Sequence, residues 1–210
     1  MPAGTTAAQG GLVGVLALQG DFREHLSTLH ELGARAVAVR VPEDLAGVRA
    51  LVLPGGESTT MSLLLESSGL LAPIRQLLAA GVPALGTCAG MVLLAREVLD
   101  AKAGQHCFAA IDISVRRNAF GRQRESFEED LDVRGLEGPM HAVFIRAPVV
   151  ESVGEGVEVL ATVEVPGVGR KPVVCRQGPV LVASFHPELA GDPRLHELLL
   201  NERKEIVRSL

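Results

Sequence analysis

Apolar residues fall in short runs separated by turn-forming clusters, and the spacing alternates between strand and helix. Val13 to Leu18 is an unbroken apolar run too short to span a bilayer, and Gln19-Gly20-Asp21 ends it at once. Asp21 is placed to cap a helix running to about Leu32, Gly33 supplies its stop, and Ala34 to Val41 gives a second strand. The unit then recurs. Ala50 to Leu53 is apolar, Pro54-Gly55-Gly56 breaks it, and helices are expected from Ser58 to Glu66 and from Leu70 to Ala80. Val82 to Leu85 is a short buried strand, followed by a packed helix from Ala89 to Leu99. Such alternation predicts an α/β fold: a single three-layer domain with a largely parallel central sheet and helices on both faces, flavodoxin-like in outline.

Beyond Gly104 the pattern turns strand-like, with runs at Ile111 to Val115, Ala142 to Ile145, Val157 to Val163, Pro172 to Cys175 and Val180 to Ser184. The polar stretch Arg116 to Asp130 reads as the longest surface loop. Pro193 to Ser209 ends in an amphipathic helix with Leu195, Leu198, Leu199 and Ile206 turned inward. Residues 1–11, rich in Ala, Thr and Gly without periodicity, read as a flexible tail, which leaves 12–210 as one domain.

Composition narrows the function classes. Apolar residues make up 47% of the chain and charged ones 21%, enough to bury a sizeable core. The 25 acidic and 20 basic residues are mixed along the sequence, so no basic face for nucleic acid is expected, nor a membrane surface. No Lys or Arg precedes the first apolar run, as a signal peptide would require, and a cytoplasmic location is expected. Three widely spaced cysteines, Cys88, Cys107 and Cys175, form no CxxC pair, so neither a metal nor another cofactor is implied. For Cys107 and Cys175 a buried hydrophobe is the plain expectation.

Cys88 differs, because Gly86-Thr87-Cys88-Ala89-Gly90-Met91 sits where a buried strand turns into a helix. A helix start stabilises a thiolate with unpaired N–H groups, and Gly-x-Cys-x-Gly is a cysteine version of the sharp turn that lifts a nucleophile above an α/β sheet. The Ala89 N–H then supplies half of an oxyanion hole. A glycine-rich connection with an incidental cysteine stays open on this segment alone. His186-Pro187-Glu188 offers the base and its orienter, since Pro187 keeps the chain extended and residues two apart project to one side. His25, His30, His106, His141 and His196 have no such partner in the sequence, and surface or packing roles suffice for them. Pro54-Gly55-Gly56-Glu57-Ser58 lies at another strand's carboxyl end; phosphate binding competes as a reading, but the P-loop lysine is missing and a Gly56 N–H completing the oxyanion hole fits better.

In that order, Pro-Gly-Gly, Gly-x-Cys-x-Gly and His-Pro-Glu resemble the class I, triad-type glutamine amidotransferases. Leu16-Ala17-Leu18-Gln19-Gly20, Pro54-Gly55-Gly56-Glu57-Ser58-Thr59, Arg117-Asn118-Ala119-Phe120-Gly121-Arg122-Gln123, Phe144-Ile145-Arg146-Ala147-Pro148 and Phe185-His186-Pro187-Glu188-Leu189 are similar to the glutaminase subunits of pyridoxal 5′-phosphate synthases. The resemblance runs from about Val13 to the C-terminus. It implies that Cys88 attacks the side-chain amide of L-glutamine, that His186 moves the protons, and that Gly55, Gly56, Glu57, Arg117 and the backbone at Ile145 and Arg146 hold the substrate. A guanidinium suits an amino-acid carboxylate, although Arg116, Arg122 and Arg124 compete on composition. The implied partner is a barrel-shaped synthase subunit in a large hetero-oligomer that uses the ammonia for vitamin B6 biosynthesis, with Gln19 placed to sense docking. The alternatives are another cysteine hydrolase or stress protein of related fold, and a non-enzymatic flavodoxin-like binding module.

Overall fold

The first strand places the chain between two cores. In a computed structural model that describes residues 11–117, 126–165 and 169–208, with side chains through 202, β1 (Leu12–Leu16), β2 (Ala36–Val39), β3 (Val48–Leu53) and β4 (Ala84–Thr87) run parallel. They are joined by α1 (Phe22–Glu31) between β1 and β2, and by α2 (Ser58–Ser67) and α3 (Leu71–Ala79) between β3 and β4. Along β3, Ala50 and Val52 enter one core while Leu51 and Leu53 enter the other. The run Ala50 to Leu53, apolar at every position, is thus buried on both faces, as a covered parallel sheet requires.

After β4 come α4 (Ala89–Leu94), β5 (Ala95–Val98), β6 (Ile111–Arg116), β7 (Ser126–Leu131), β8 (Met140–Ile145) and β9 (Val149–Val153). The chain finishes with β10 (Glu158–Val165), β11 (Gly169–Gln177), β12 (Val180–Ala183) and α5 (Arg194–Arg208). The central sheet has the order β10-β11-β12-β4-β3-β1-β2, parallel from β12 to β2, with β10 and β11 antiparallel at one edge. One face carries Leu29 of α1, Leu195 and Leu199 of α5, and the β7–β8 hairpin through Phe144. The other carries Met61 of α2, Ile74 of α3, all of α4, and the small β5-β6-β9 sheet. No helix among the described residues is long and apolar enough to cross a membrane.

Three expectations change. The helix after Cys88 stops at Leu94 rather than Leu99: all six residues of α4 are buried, and Arg96 and Glu97 would follow them into the core, so the chain extends at Ala95 and pairs with β6, leaving both charges exposed. Within the stretch expected to be a loop, Ser126–Leu131 is a strand, whose Phe127 stacks on Phe144 at 4.4 Å while Glu128 and Asp130 face out; residues 118–125 lie outside the described ones. β9, a short strand after Ala147-Pro148, was absent from the sequence pattern and pairs antiparallel with β6. Residues 1–10 of the expected tail (1–11) and Ile206 of the last helix lie outside the described positions or side chains.

Candidate active site

Four neighbouring strands, β12, β4, β3 and β1, end on one edge of the sheet, and each delivers one piece of a cavity of about 430 Å³. β4 delivers Cys88. Its backbone holds φ 47° and ψ −104°, a conformation that costs a non-glycine residue about 1–3 kcal/mol, and its N–H donates to Ala183 O of β12 at 2.8 Å. The flanking glycines do not carry the strain themselves. A Cβ on Gly90 would stand 1.9 Å from Leu53 O, and one on Gly86 would stand 2.7 Å from Gly90 O, so both exist to let α4 press onto β3 and β4. That closeness forces the turn at Cys88. Ala89 begins α4 beside the thiol, and as the first helical residue its N–H has no intrahelical acceptor.

β12 delivers His186 and Glu188. The His186 N–H donates to Val143 O of β8 at 2.9 Å, fixing the segment, and the ring Nδ1 lies 2.8 Å from Glu188 Oε1. Both side chains are almost wholly buried. Burial alone would lower the imidazole pKa, but its hydrogen bonds and attraction to Cys88 and Glu188 outweigh that and lift it to about 10. Burial pushes the Glu188 carboxyl up from its ordinary range, with His186 pulling it back. Cys175 offers a contrast: it is fully buried in the sheet, and burial pushes its thiol up to about 12.

β3 delivers the Gly-Gly turn. Gly55 stands behind the imidazole, where a Cβ would come within 2.2 Å of His186 Cε1. Gly56, at φ 155°, lines the cavity. Glu57 also reaches the cavity, but its carboxylate caps α2, accepting from Thr59 N at 3.1 Å and from Thr60 N at 2.7 Å. Against the rise that burial imposes, those bonds hold its pKa at about 2. Gln19, beyond β1, accepts the Glu57 N–H on Oε1 at 2.7 Å and so ties the first strand's end to this turn.

The remaining walls come from farther along the chain. Arg117 lines the cavity with its guanidinium held by Thr59 Oγ1 at 2.8 Å and by Asp100 O at 2.9 Å. Of the competing arginines, Arg116 pairs instead with Glu151, and Arg122 and Arg124 lie outside the described residues. Ile145 and Arg146 line the side opposite Cys88, whose thiol faces Ile145 O at 3.8 Å, and Arg146 turns the chain there at φ 46°.

Two expectations need correction. Asp21 occupies the N-cap position of α1 without a side-chain cap; its Oδ2 turns instead to His186 Nδ1 at 3.4 Å. The other histidines are not partnerless. His141 bonds Asp130 at 2.7 Å and His106 approaches Glu66 at 3.4 Å, both on the surface. His25 and His196 are fully buried, bonded to each other at 2.8 Å, and His25 Nε2 stands 3.4 Å from Glu188 Oε2. The sequence held a signal for this: His25 is three residues after Phe22 and four before Leu29, inside the apolar stripe of α1.

Asp21, His186 and Glu188 place three ligand-type atoms within 4.8 Å of one another. The short Nδ1 contact to a carboxylate oxygen requires a proton between them, which occupies the nitrogen lone pair that a metal would need. The set suits proton transfer.

A strained thiol, a buried imidazole paired with a carboxylate, and main-chain donors at a helix start are the groups that acyl transfer uses. The model of the SNO glutamine amidotransferase family matches residues 15–205. Pyridoxal 5′-phosphate synthase subunit PdxT of Mycobacteroides abscessus is 56% identical over 190 residues, covering 90% of this chain and 96% of that protein. The protein of the same description from Mycolicibacterium vanbaalenii is 58% identical over 191 residues, covering 90% and 95%. A crystal structure of a glutamine amidotransferase superposes with a TM-score of 0.84 at 51% identity, covering 91% of this chain and 98% of that one. A glutamine amidotransferase from Thermotoga maritima shares the fold at a TM-score of 0.55 and 15% identity, over 92% and 90% of the two chains. On the family match and these relatives together, the chain belongs to the SNO glutamine amidotransferase family.

Proposed function

We propose that this chain is a glutaminase that hydrolyses L-glutamine to L-glutamate and ammonia and serves as a subunit of a pyridoxal 5′-phosphate synthase. The observation that carries the reading is the strained Cys88 turn facing the His186–Glu188 pair across one cavity, in a chain so similar to PdxT proteins. An incidental thiol in a binding module gives no reason for backbone held at φ 47°.

Cys88 Sγ attacks the side-chain amide carbon of glutamine, with His186 holding the proton that the thiol gives up. The oxyanion is received by the N–H groups of Ala89 and Gly56. The carbon–nitrogen bond then breaks as His186 returns the proton to the leaving amine, releasing ammonia and leaving a glutamyl thioester. Water attacks the thioester, giving its proton to His186, and glutamate departs as Cys88 recovers its own. Glu188 holds the imidazole and balances its charge. Arg117 receives the substrate's α-carboxylate, while the backbone at Ile145 and Arg146, with Gly55, Gly56 and Glu57, shapes the rest of the pocket.

Ammonia passes to a barrel synthase subunit in a large hetero-oligomer, and docking at the cavity rim adjusts the Gly55–Gly56 peptide, with Gln19 coupling the two. The exposed side chains of Ile145 and Leu189 at that rim suit a protein contact. Glutamate release is measured on the pure chain, then with the synthase subunit of the same organism added. A large rise on mixing is expected; no glutamate under either condition overturns the glutaminase reading, and release that ignores the partner overturns the coupling.

A further inference from the structure

The triad as described leaves one atom unexplained. Among the described residues no donor is aimed at Glu188 Oε2, which is buried, although the carboxylate stands in the interior beside the His186 imidazole. Such an oxygen is costly unless a donor is aimed at it. Resting on the glutaminase reading above, we propose that His25 is a positioning residue for the reaction, its protonated Nε2 standing beside Glu188 Oε2 as the nearest donor and turning to it during turnover, with His196 holding it in that tautomer from behind.

The distances select the tautomer. His25 Nε2 lies 3.4 Å from Glu188 Oε2 and 3.1 Å from Thr87 Oγ1, and its Nδ1 lies 2.8 Å from His196 Nε2. If His25 carries its proton on Nε2, that N–H points at Thr87 Oγ1 with Glu188 Oε2 beside it, and Nδ1 accepts from His196 Nε2–H. His196 Nδ1, which is buried without a partner, is then an unused acceptor. If His25 carried its proton on Nδ1, the Nε2 lone pair would face a carboxylate oxygen, and His196 Nδ1–H would be an orphaned buried donor. An unsatisfied buried donor is the rarer and costlier fault. The first arrangement has neither.

Burial keeps both rings neutral, which this geometry needs. It drives His25 well below its ordinary value, with His196 and His186 adding repulsion, and it takes His196 down to about 4 against the pull of Asp192. Every element packed on Glu188 therefore has a part: Asp21 at the start of α1 opposes its charge, His186 after β12 favours it, and His25 on α1 satisfies its second oxygen, backed by Thr87 of β4 and His196 of α5. A His25 N–H turned to Oε2 would hold the carboxylate at its second oxygen, as His186 holds it at the first, and so limit rotation of the His186 ring.

Ring-nitrogen NMR on the full chain labelled at histidine tests the geometry directly. His25 and His196 are expected as neutral Nε2–H tautomers from about pH 5.5 to 8.5; a His25 that carries its proton on Nδ1, or titrates near its ordinary value of about 6.5, overturns the proposal. Kinetics test the role. His25→Asn removes the donor at the Nε2 position and is expected to lower kcat roughly tenfold to a hundredfold with KM little changed. It should also move the acid limb of the kcat/KM profile up by roughly half a pH unit, because an unsatisfied Glu188 protonates more readily. His25→Gln restores an N–H at that position and is expected to recover most of kcat and the original limb. A merely structural role predicts equal losses in both variants with the limb unmoved, and that result overturns the proposal. Should the asparagine variant not fold, the tautomer in the wild-type chain decides. Failure of wild-type glutamine hydrolysis would instead refute the glutaminase reading, with the ring tautomers still measurable.

Discussion

Cys88 owes its geometry largely to residues within a few positions of it, whereas His186 is held by residues scattered from Asp21 to His196. The Cys88 turn is made by Gly86 and Gly90 letting α4 sit down on β3 and β4, and the strain appears at Cys88 between them. His186 is placed from a distance: Val143 pins its backbone, Glu188 bonds its Nδ1 with Asp21 nearby, Gly55 leaves room for its ring, and His25 and His196 stand behind Glu188. A local device can be read from a short motif. A distributed one cannot, because its members share no spacing until the sheet has brought four strand ends together.

Substitutions separate the two. The largest effect is expected at the local device: Cys88→Ala should cut glutamine turnover by about three orders of magnitude or more while leaving the fold unchanged by circular dichroism. Turnover that persists in that variant breaks the account at its root. Next comes the distributed device, through a residue that contributes no side chain. Gly55→Ala places a methyl group against the His186 ring and should lower kcat by about a hundredfold, with thermal stability changed far less. Normal kcat in the Gly55→Ala variant would mean that the ring's position does not depend on the Gly-Gly turn.

The smallest effect concerns stability. Glu57 has its folded pKa held at about 2, below its ordinary value of 4.5, so its cap on α2 contributes fully above about pH 4.5 and is lost as the pH falls toward 2. The melting-temperature gap between the wild-type chain and Glu57→Gln should therefore be widest near neutral pH and close in acid. A gap that widens in acid contradicts this.

What the sequence made legible follows the same division. The β1-α1-β2 unit, the second and third helices and the strand before Cys88 stood out because two-sided burial leaves unbroken apolar runs bounded by glycine. Cys88 and the His186–Glu188 pair were legible because extended chain and a glycine-flanked turn dictate where side chains project. β7 was hidden by acids on its outer face, since only Phe127 and Leu131 mark its inner one. The early end of α4 depends on β6 offering a pairing edge to Ala95–Val98, which no local signal announces. His25 and His196 lie 171 positions apart, and only their place inside apolar helical stripes hinted that they were buried.

The most direct test of the central claim is to quench the chain in acid during glutamine turnover, with the synthase subunit present, and to map covalent adducts by mass spectrometry. A glutamyl group on the peptide containing Cys88, absent from Cys88→Ala, is the result this account predicts. Steady turnover with the adduct on another residue would contradict it.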